Sequence, residues 1–242
     1  MISIPATAMV LAAGLGTRLR PLTEHTPKPL IKVAGQTLLD RCLDRLAEAG
    51  VQRAVVNIHW LGQQIRDHLA SRRDIEIVIS DESDLLLETG GGIAKALPLL
   101  GDAPFISVNA DLIWRDAVSG GNSLRQLAMA FDQNAMDALL LLQPREKATG
   151  HNGAGDFNLA PSGQLSRRGE ASQAAFVYTG VQILQPRLFT GSPAGAFSLN
   201  LLYDRAIAAG RLYGLPHQGD WVDVGSPAGL AAAEAMFNGE RD

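Results

Sequence analysis

Strand-length apolar runs alternate with helix-length amphipathic segments through the first half of this chain, and that alternation restricts it to an α/β fold. Residues 7–12 (TAMVLA), 53–58 (RAVVNI), 75–80 (IEIVIS) and 105–109 (FISVN) read as strands. Residues 38–49, 61–69 and 92–100 read as the helices between them. Repeated βα units lay strands side by side in a mostly parallel sheet with helices on both faces. Ligands of such sheets bind beyond the carboxyl ends of the strands. Gly14, Glu82 and Asp111 each follow a strand, so one crevice is expected to collect them.

The second half changes character. Residues 138–142 (ALLLL) form a nearly continuous apolar strand, and residues 155–165 read as a hairpin turning at Pro161-Ser162-Gly163. A further strand at 176–184, a helix at 199–209 and a final helix at 227–237 complete a sheet extension over the first half. A chain of 242 residues fits one sizeable α/β domain better than two complete ones. With 46% hydrophobic residues and a formal net charge of −4, it lacks the basic balance of a general nucleic-acid binder. The single cysteine, Cys42, cannot form an internal disulfide, which points to a reducing, cytoplasmic setting. The N-terminus has no basic n-region, and no apolar run reaches the length of a membrane span. No hexapeptide repeat follows, so a fused acyltransferase is not expected. The sequence leaves the oligomeric state open, a monomer being one reading.

Residues 11–30, LAAGLGTRLRPLTEHTPKPL, carry the most chemistry. A glycine turn after a strand exposes successive backbone N–H groups to phosphate oxygens, and Gly14 and Gly16 let the backbone come close to an anion. Arg18 and Arg20 offer forked donors, and Lys28, between Pro27 and Pro29, is a point charge on a restricted backbone. A dinucleotide fingerprint would need a glycine where Leu19 stands, and a P-loop would need Gly-Lys where the chain has Gly16-Thr17. On the glycines alone, an ordinary βα turn is the alternative. The complete string closely resembles the signature of the sugar-1-phosphate nucleotidylyltransferases, without a gap from Leu11 to Leu30.

That resemblance implies a Rossmann-like, mostly parallel mixed sheet, with residues 1–112 mainly binding nucleotide and residues 113–242 mainly binding sugar and supplying a metal-ligand segment. It places Leu11, Ala12, Ala13, Gly14, Gly16, Thr17 and Arg18 on the nucleoside triphosphate, with Arg18 and Lys28 on its phosphates. Glu88-Thr89-Gly90-Gly91-Gly92 precedes a helical stretch and reads as a second glycine loop. A permissive helix start would explain it, but the resemblance makes Thr89, Gly90 and Gly91 a wall for the nucleobase. Glu82, an acceptor only, suits the ring N–H of uracil, thymine or guanine. Asp111 and Asp223, the latter in WVDVG, each could be an ordinary turn or cap residue. Together they offer the two hard oxygen ligands that suit Mg²⁺.

The implied sugar pocket comprises Gly155, Asp156, Glu170, Tyr178 and Thr179. The chain departs from the family pattern at Ala110, where glycine is usual, and at Tyr178, where several relatives carry asparagine. It also has Arg167-Arg168-Gly169-Glu170 where many carry Glu-Lys-Pro. HTPKPL, NIHWLGQQIRDHL, LETGGGI, KALPLLGDAPF, GDF and WVDVGSP extend the resemblance along nearly the whole chain. They imply UTP and N-acetylmuramate 1-phosphate as the substrate pair, in bacterial cell-wall sugar recycling. GTP with mannose 1-phosphate is the alternative within the class, and a catalytically silent nucleotide-sugar-binding regulatory subunit is the alternative outside it. Intact Arg18, Lys28, Asp111 and Asp223 speak against the silent copy.

Overall fold

This computed structural model of the protein describes residues 4–118 and 120–238. In chain order it contains β1 (Thr7–Leu11), β2 (Lys32–Val33), β3 (Gln36–Thr37), α1 (Leu38–Ala49), β4 (Arg53–Ile58), α2 (Gly62–Leu69) and β5 (Glu76–Asp81). Then come α3 (Glu88–Leu100), β6 (Phe105–Asn109), β7 (Leu112–Arg115), α4 (Ser123–Ala130) and β8 (Ala138–Pro144). The remainder is β9 (Phe157–Leu159), β10 (Leu165–Arg167), β11 (Phe176–Leu184), α5 (Asn200–Ala208), β12 (Leu212–Pro216), β13 (Asp220–Asp223) and α6 (Pro227–Asn238).

Nine strands form one twisted sheet in the order β10-β9-β11-β6-β1-β4-β5, with β8 on β11 and β12 on β8. β6, β1, β4 and β5 run parallel, so their carboxyl ends share one edge of the molecule. β11 enters antiparallel to β6 and β8 and joins the two halves of the chain through a single sheet. The sheet is mostly parallel and mixed, as the βα alternation requires. Among the described residues no helix is long and apolar enough to cross a membrane.

Burial explains why these segments hold their form. β4 is buried at Ala54, Val55, Val56, Asn57 and Ile58 because it lies inside the sheet with helices on both faces. α1 starts where the Thr37 hydroxyl accepts the Asp40 N–H at 3.0 Å, and it turns Leu39, Cys42, Leu43 and Leu46 onto the sheet. α3 and α5 cover the opposite face through Ile93, Ala96, Leu202 and Ala206. A third buried cluster, of Leu19, Ile31, Val33, Leu38, Ile113, Val222, Val224 and Ala233, lies among the Leu19–Val33 segment, the β7–β13 ribbon and α6.

Two sequence readings are corrected. Residues 88–92 are not a loop ahead of the helix but the first turn of α3. Glycine is a poor helix former, yet here packing overrides propensity. A Cβ on Gly90 would lie 2.4 Å from the Phe197 ring, and one on Gly91 would lie 2.2 Å from the Gly195 carbonyl oxygen. The hairpin at Pro161-Ser162-Gly163 continues beyond residue 165, because β10 pairs Arg167 with Phe157. The antiparallel β7–β13 ribbon, α4 and β12 have no counterpart in the sequence reading.

Candidate active site

At the shared strand ends a cleft of about 220 Å³ is lined by Leu11, Ala12, Ala13, Gly14, Lys28, Pro29, Asn57, Glu82, Leu86, Glu88, Thr89, Asn109 and Asp111. Gly14 is exposed, and a Cβ there would meet nothing within 4 Å, so its backbone faces open space. Gly16 does different work. Its φ of 63° is left-handed, and a Cβ would lie 2.9 Å from Thr23 Cγ2 and 3.0 Å from Lys28 Cβ. Gly16 therefore lets the arginine segment fold back on the lysine segment. Thr17, Arg18 and Leu19 form a single 3₁₀ turn in which Leu19 is buried and Arg18 is exposed.

Lys28 is buried, and its Nζ lies 2.5 Å from Asp111 Oδ2. Arg18 Nη1 lies 4.0 Å from Asp223 Oδ2. Arg18 and Lys28, the two cations that the resemblance places on the phosphates, therefore each face one of the two aspartates read as metal ligands. The ribbon brings those aspartates to neighbouring ladder positions, since Asp223 pairs with Leu112, the residue after Asp111. Gly180, at a bulge in β11 with φ 82°, permits the approach: a Cβ there would sit 2.0 Å from Leu112 Cδ1. Gly225 serves Asp223 in the same way, donating its N–H to Asp223 Oδ1 at 2.8 Å, with the Arg18 guanidinium where a Cβ would be.

The family resemblance calls for Mg²⁺, and the donor set fits it. Two carboxylates are what Mg²⁺ takes from protein when phosphates and water complete its octahedron. Among the described residues no group of three or more His, Cys, Asp or Glu side chains is placed to hold a metal unaided.

Glu82 is buried, with Oε1 accepting from Asn57 Nδ2 at 2.6 Å and Oε2 accepting from the Leu87 N–H at 3.1 Å. Thr89 lines the cleft while its hydroxyl accepts the Leu199 N–H at 3.0 Å. Gly90 and Gly91 are buried and lie outside the cleft lining, their N–H groups donated to the Phe197 carbonyl at 2.9 and 3.1 Å. Gly16, Thr17, Arg18 and Asp223 are likewise beside the cleft and not among the residues that line it.

In the implied sugar pocket the structure joins Gly155, Asp156 and Tyr178. Gly155 has φ 83° and passes close to the Ala174 carbonyl, and Asp156 Oδ2 accepts the Tyr178 N–H at 2.8 Å. The Tyr178 ring packs edge-on to Tyr203, and burial pushes both phenols above their ordinary range, so they stay neutral. Thr179 is fully buried, its hydroxyl donated to the Leu141 carbonyl, and Glu170 sits in an exposed turn. Arg167 is engaged by Asp204 at 2.7 Å and lies over the Phe157 ring, while Arg168 donates to the Ala171 and Ser172 carbonyls. Both arginines brace this edge of the sheet. Cys42 is buried, which raises its thiol to about 12 and keeps it out of nucleophilic chemistry.

Sequence reasoning missed Asn57, Leu86 and Asn109 in the cleft wall. Asn57 and Asn109 were findable, because each stands at or next to the carboxyl end of a buried strand, as Asp111 does.

The strand ends thus gather a glycine turn, the buried Lys28 and Asp111 in one cleft, with Asp223 beside it on the ribbon. The chain belongs to the nucleotidyl transferase family, whose profile matches residues 7–154. It is 43% identical over 98% of its length, and 99% of the relative's, to N-acetylmuramate alpha-1-phosphate uridylyltransferase of Caulobacter vibrioides. The enzyme of the same name from Neisseria meningitidis serogroup B is 38% identical over 95% of this chain and 97% of its own. A UDP-glucose pyrophosphorylase solved with UDP-glucose superposes with a TM-score of 0.79 over 100% of both chains at 18% identity, a likeness of fold.

Proposed function

We propose that this enzyme transfers the uridylyl group of UTP to N-acetylmuramate 1-phosphate, giving the UDP-sugar and pyrophosphate in the cytoplasmic recycling of cell-wall sugar. The observation that carries the reading is the near-full-length identity to two uridylyltransferases of that name. A phosphate oxygen of the sugar phosphate attacks the α-phosphorus in line, and the bond from that phosphorus to the bridging oxygen of the leaving pyrophosphate breaks. No protein nucleophile is required, so the protein contributes position and charge. Ala12 to Gly14 present backbone to the triphosphate, and Lys28 and Arg18 offset charge on the transferred and leaving groups. Asp111 and Asp223 would hold Mg²⁺, which supplies charge neutralisation at the α-phosphate when bound. Ala12–Gly14 on one side and Leu86, Glu88 and Thr89 on the other form the base slot. The sugar lies toward Asp156 and Tyr178.

Pyrophosphate release over four nucleoside triphosphates crossed with several sugar 1-phosphates tests the assignment. UTP with N-acetylmuramate 1-phosphate is expected to give the highest kcat/KM. GTP with mannose 1-phosphate at tenfold that efficiency would overturn the substrate pair and leave the reaction class standing.

A further inference from the structure

We infer that Asn57 is a positioning residue whose carboxamide fixes the two walls of the nucleotide cleft relative to each other. Asn57 is 2% exposed and stands near the end of β4, in register with Leu11 of β1 and Ser80 of β5. Its Oδ1 accepts the Ala12 N–H at 2.7 Å, which anchors the turn leading to Gly14. Its Nδ2 donates to Glu82 Oε1 at 2.6 Å, and Glu82 Oε2 takes the Leu87 N–H, where α3 begins. One side chain thus ties the phosphate-facing turn to the segment that carries Leu86, Glu88 and Thr89.

The chemistry demands this residue type. The site needs an acceptor toward a backbone N–H and a donor toward a carboxylate, both nearly fully buried, and a carboxamide supplies both. Glu82 itself is 1% exposed, and its carboxylate sits at the N-terminal end of α3, where unpaired N–H groups favour negative charge. His59 Nδ1 lies 2.7 Å from the Glu82 carbonyl oxygen, and the Glu82 N–H donates to Ile58, so the backbone beneath is fixed as well. Gly92 leaves the space: a Cβ there would come 2.7 Å from Glu82 Oε1 and 3.0 Å from Asn57 Nδ2. Each Glu82 oxygen already holds one contact within the protein, so the carboxylate is fixed in the cleft wall before any nucleotide binds. This inference rests on the nucleotidyl-transfer reading of the cleft.

Asn57→Asp, Glu82→Gln and the double variant test it, with UTP affinity measured by calorimetry and KM and kcat by pyrophosphate release. Asn57→Asp sets two carboxylates face to face, and like charges at that distance retain a shared proton. Its UTP affinity should approach wild type at low pH and fall as that proton is lost. Glu82→Gln leaves a buried donor or acceptor unmatched. Each single variant should weaken UTP binding on the order of 10-fold or more near neutral pH, with KM rising more than kcat falls.

The double variant reverses the donor and acceptor roles while keeping the pair's charge. It should recover most of the lost affinity, lose the added pH dependence and bind UTP more tightly than Glu82→Gln alone. Single variants within twofold of wild type, or a double variant no better than the weaker single, would overturn the inference. If a single variant does not fold, a folded, UTP-binding double variant supports it and an unfolded one overturns it. Failure of wild-type protein to turn over any sugar phosphate would instead sink the functional reading, while calorimetry with UTP would still read the network.

Discussion

Lys28→Met removes the buried ammonium while nearly conserving volume. With Nζ 2.5 Å from Asp111 Oδ2, the gross attraction at an effective dielectric of 20 is about 7 kcal/mol. Desolvation of the ammonium offsets much of this, and the Asp111 side chain is 33% exposed, so the net loss of stability should be about 1–3 kcal/mol. Two further consequences follow from the pairing. Losing a fixed positive charge beside the reacting phosphates should lower kcat/KM by about 10²–10³. Asp111, no longer neutralised, should bind a divalent cation more tightly in the protein without nucleotide, by roughly tenfold for each 1.4 kcal/mol released. Pyrophosphate release reads the first effect, and titration with Mn²⁺ followed by electron spin resonance reads the second. Lys28→Arg should not restore activity, because a planar fork replaces a compact ammonium. A kcat/KM within threefold of wild type would refute the phosphate role of Lys28, and an unchanged Mn²⁺ affinity would refute Asp111 as a metal ligand held by Lys28.

Asp111→Ala and Asp223→Ala should each lower metal-dependent turnover by at least about 10²-fold, since several kcal/mol of charge stabilisation is at stake, with circular dichroism unchanged. Near wild-type kcat in both would remove them from the metal site. Gly92→Ala should lower the Tm despite alanine's better helix propensity, because overpacking against Glu82 and Asn57 costs about 1–3 kcal/mol; a raised Tm would contradict the packing argument. His217 is buried, which lowers its affinity for a proton below the ordinary imidazole range. Its ring meets Ser123 Oγ and the Arg115 and Asp220 carbonyls, with Asp116 and Arg45 nearby. Below pH ~6.5 the unfolded chain takes up that proton first, so stability present above this pH is lost as pH falls, by at most about 1.4 kcal/mol per pH unit. Thermal melts from pH 7 to 5 should show a shallower decline in His217→Gln, and parallel slopes would exclude the histidine.

What the sequence revealed of this fold follows the range of the interactions. β4 and β5 were legible because their apolar residues are adjacent, and strand ends then placed Gly14, Glu82 and Asp111 in one cleft. The β7–β13 ribbon was not, because Leu112–Arg115 and Asp220–Asp223 are four residues each and find their partner far along the chain. For the same reason the partners of Arg167, at Asn200 and Asp204, could not be read from a local run of basic residues. Leu19 carries the contrast furthest. In the sequence it mattered as a glycine that was missing, which excluded a dinucleotide fingerprint. In the structure it is 1% exposed, in one buried cluster with Val222 and Val224 on either side of Asp223. The residue that rules out one phosphate motif is thus the peg that brings Arg18 to 4.0 Å from Asp223, a role set by its burial and by no spacing a motif could record.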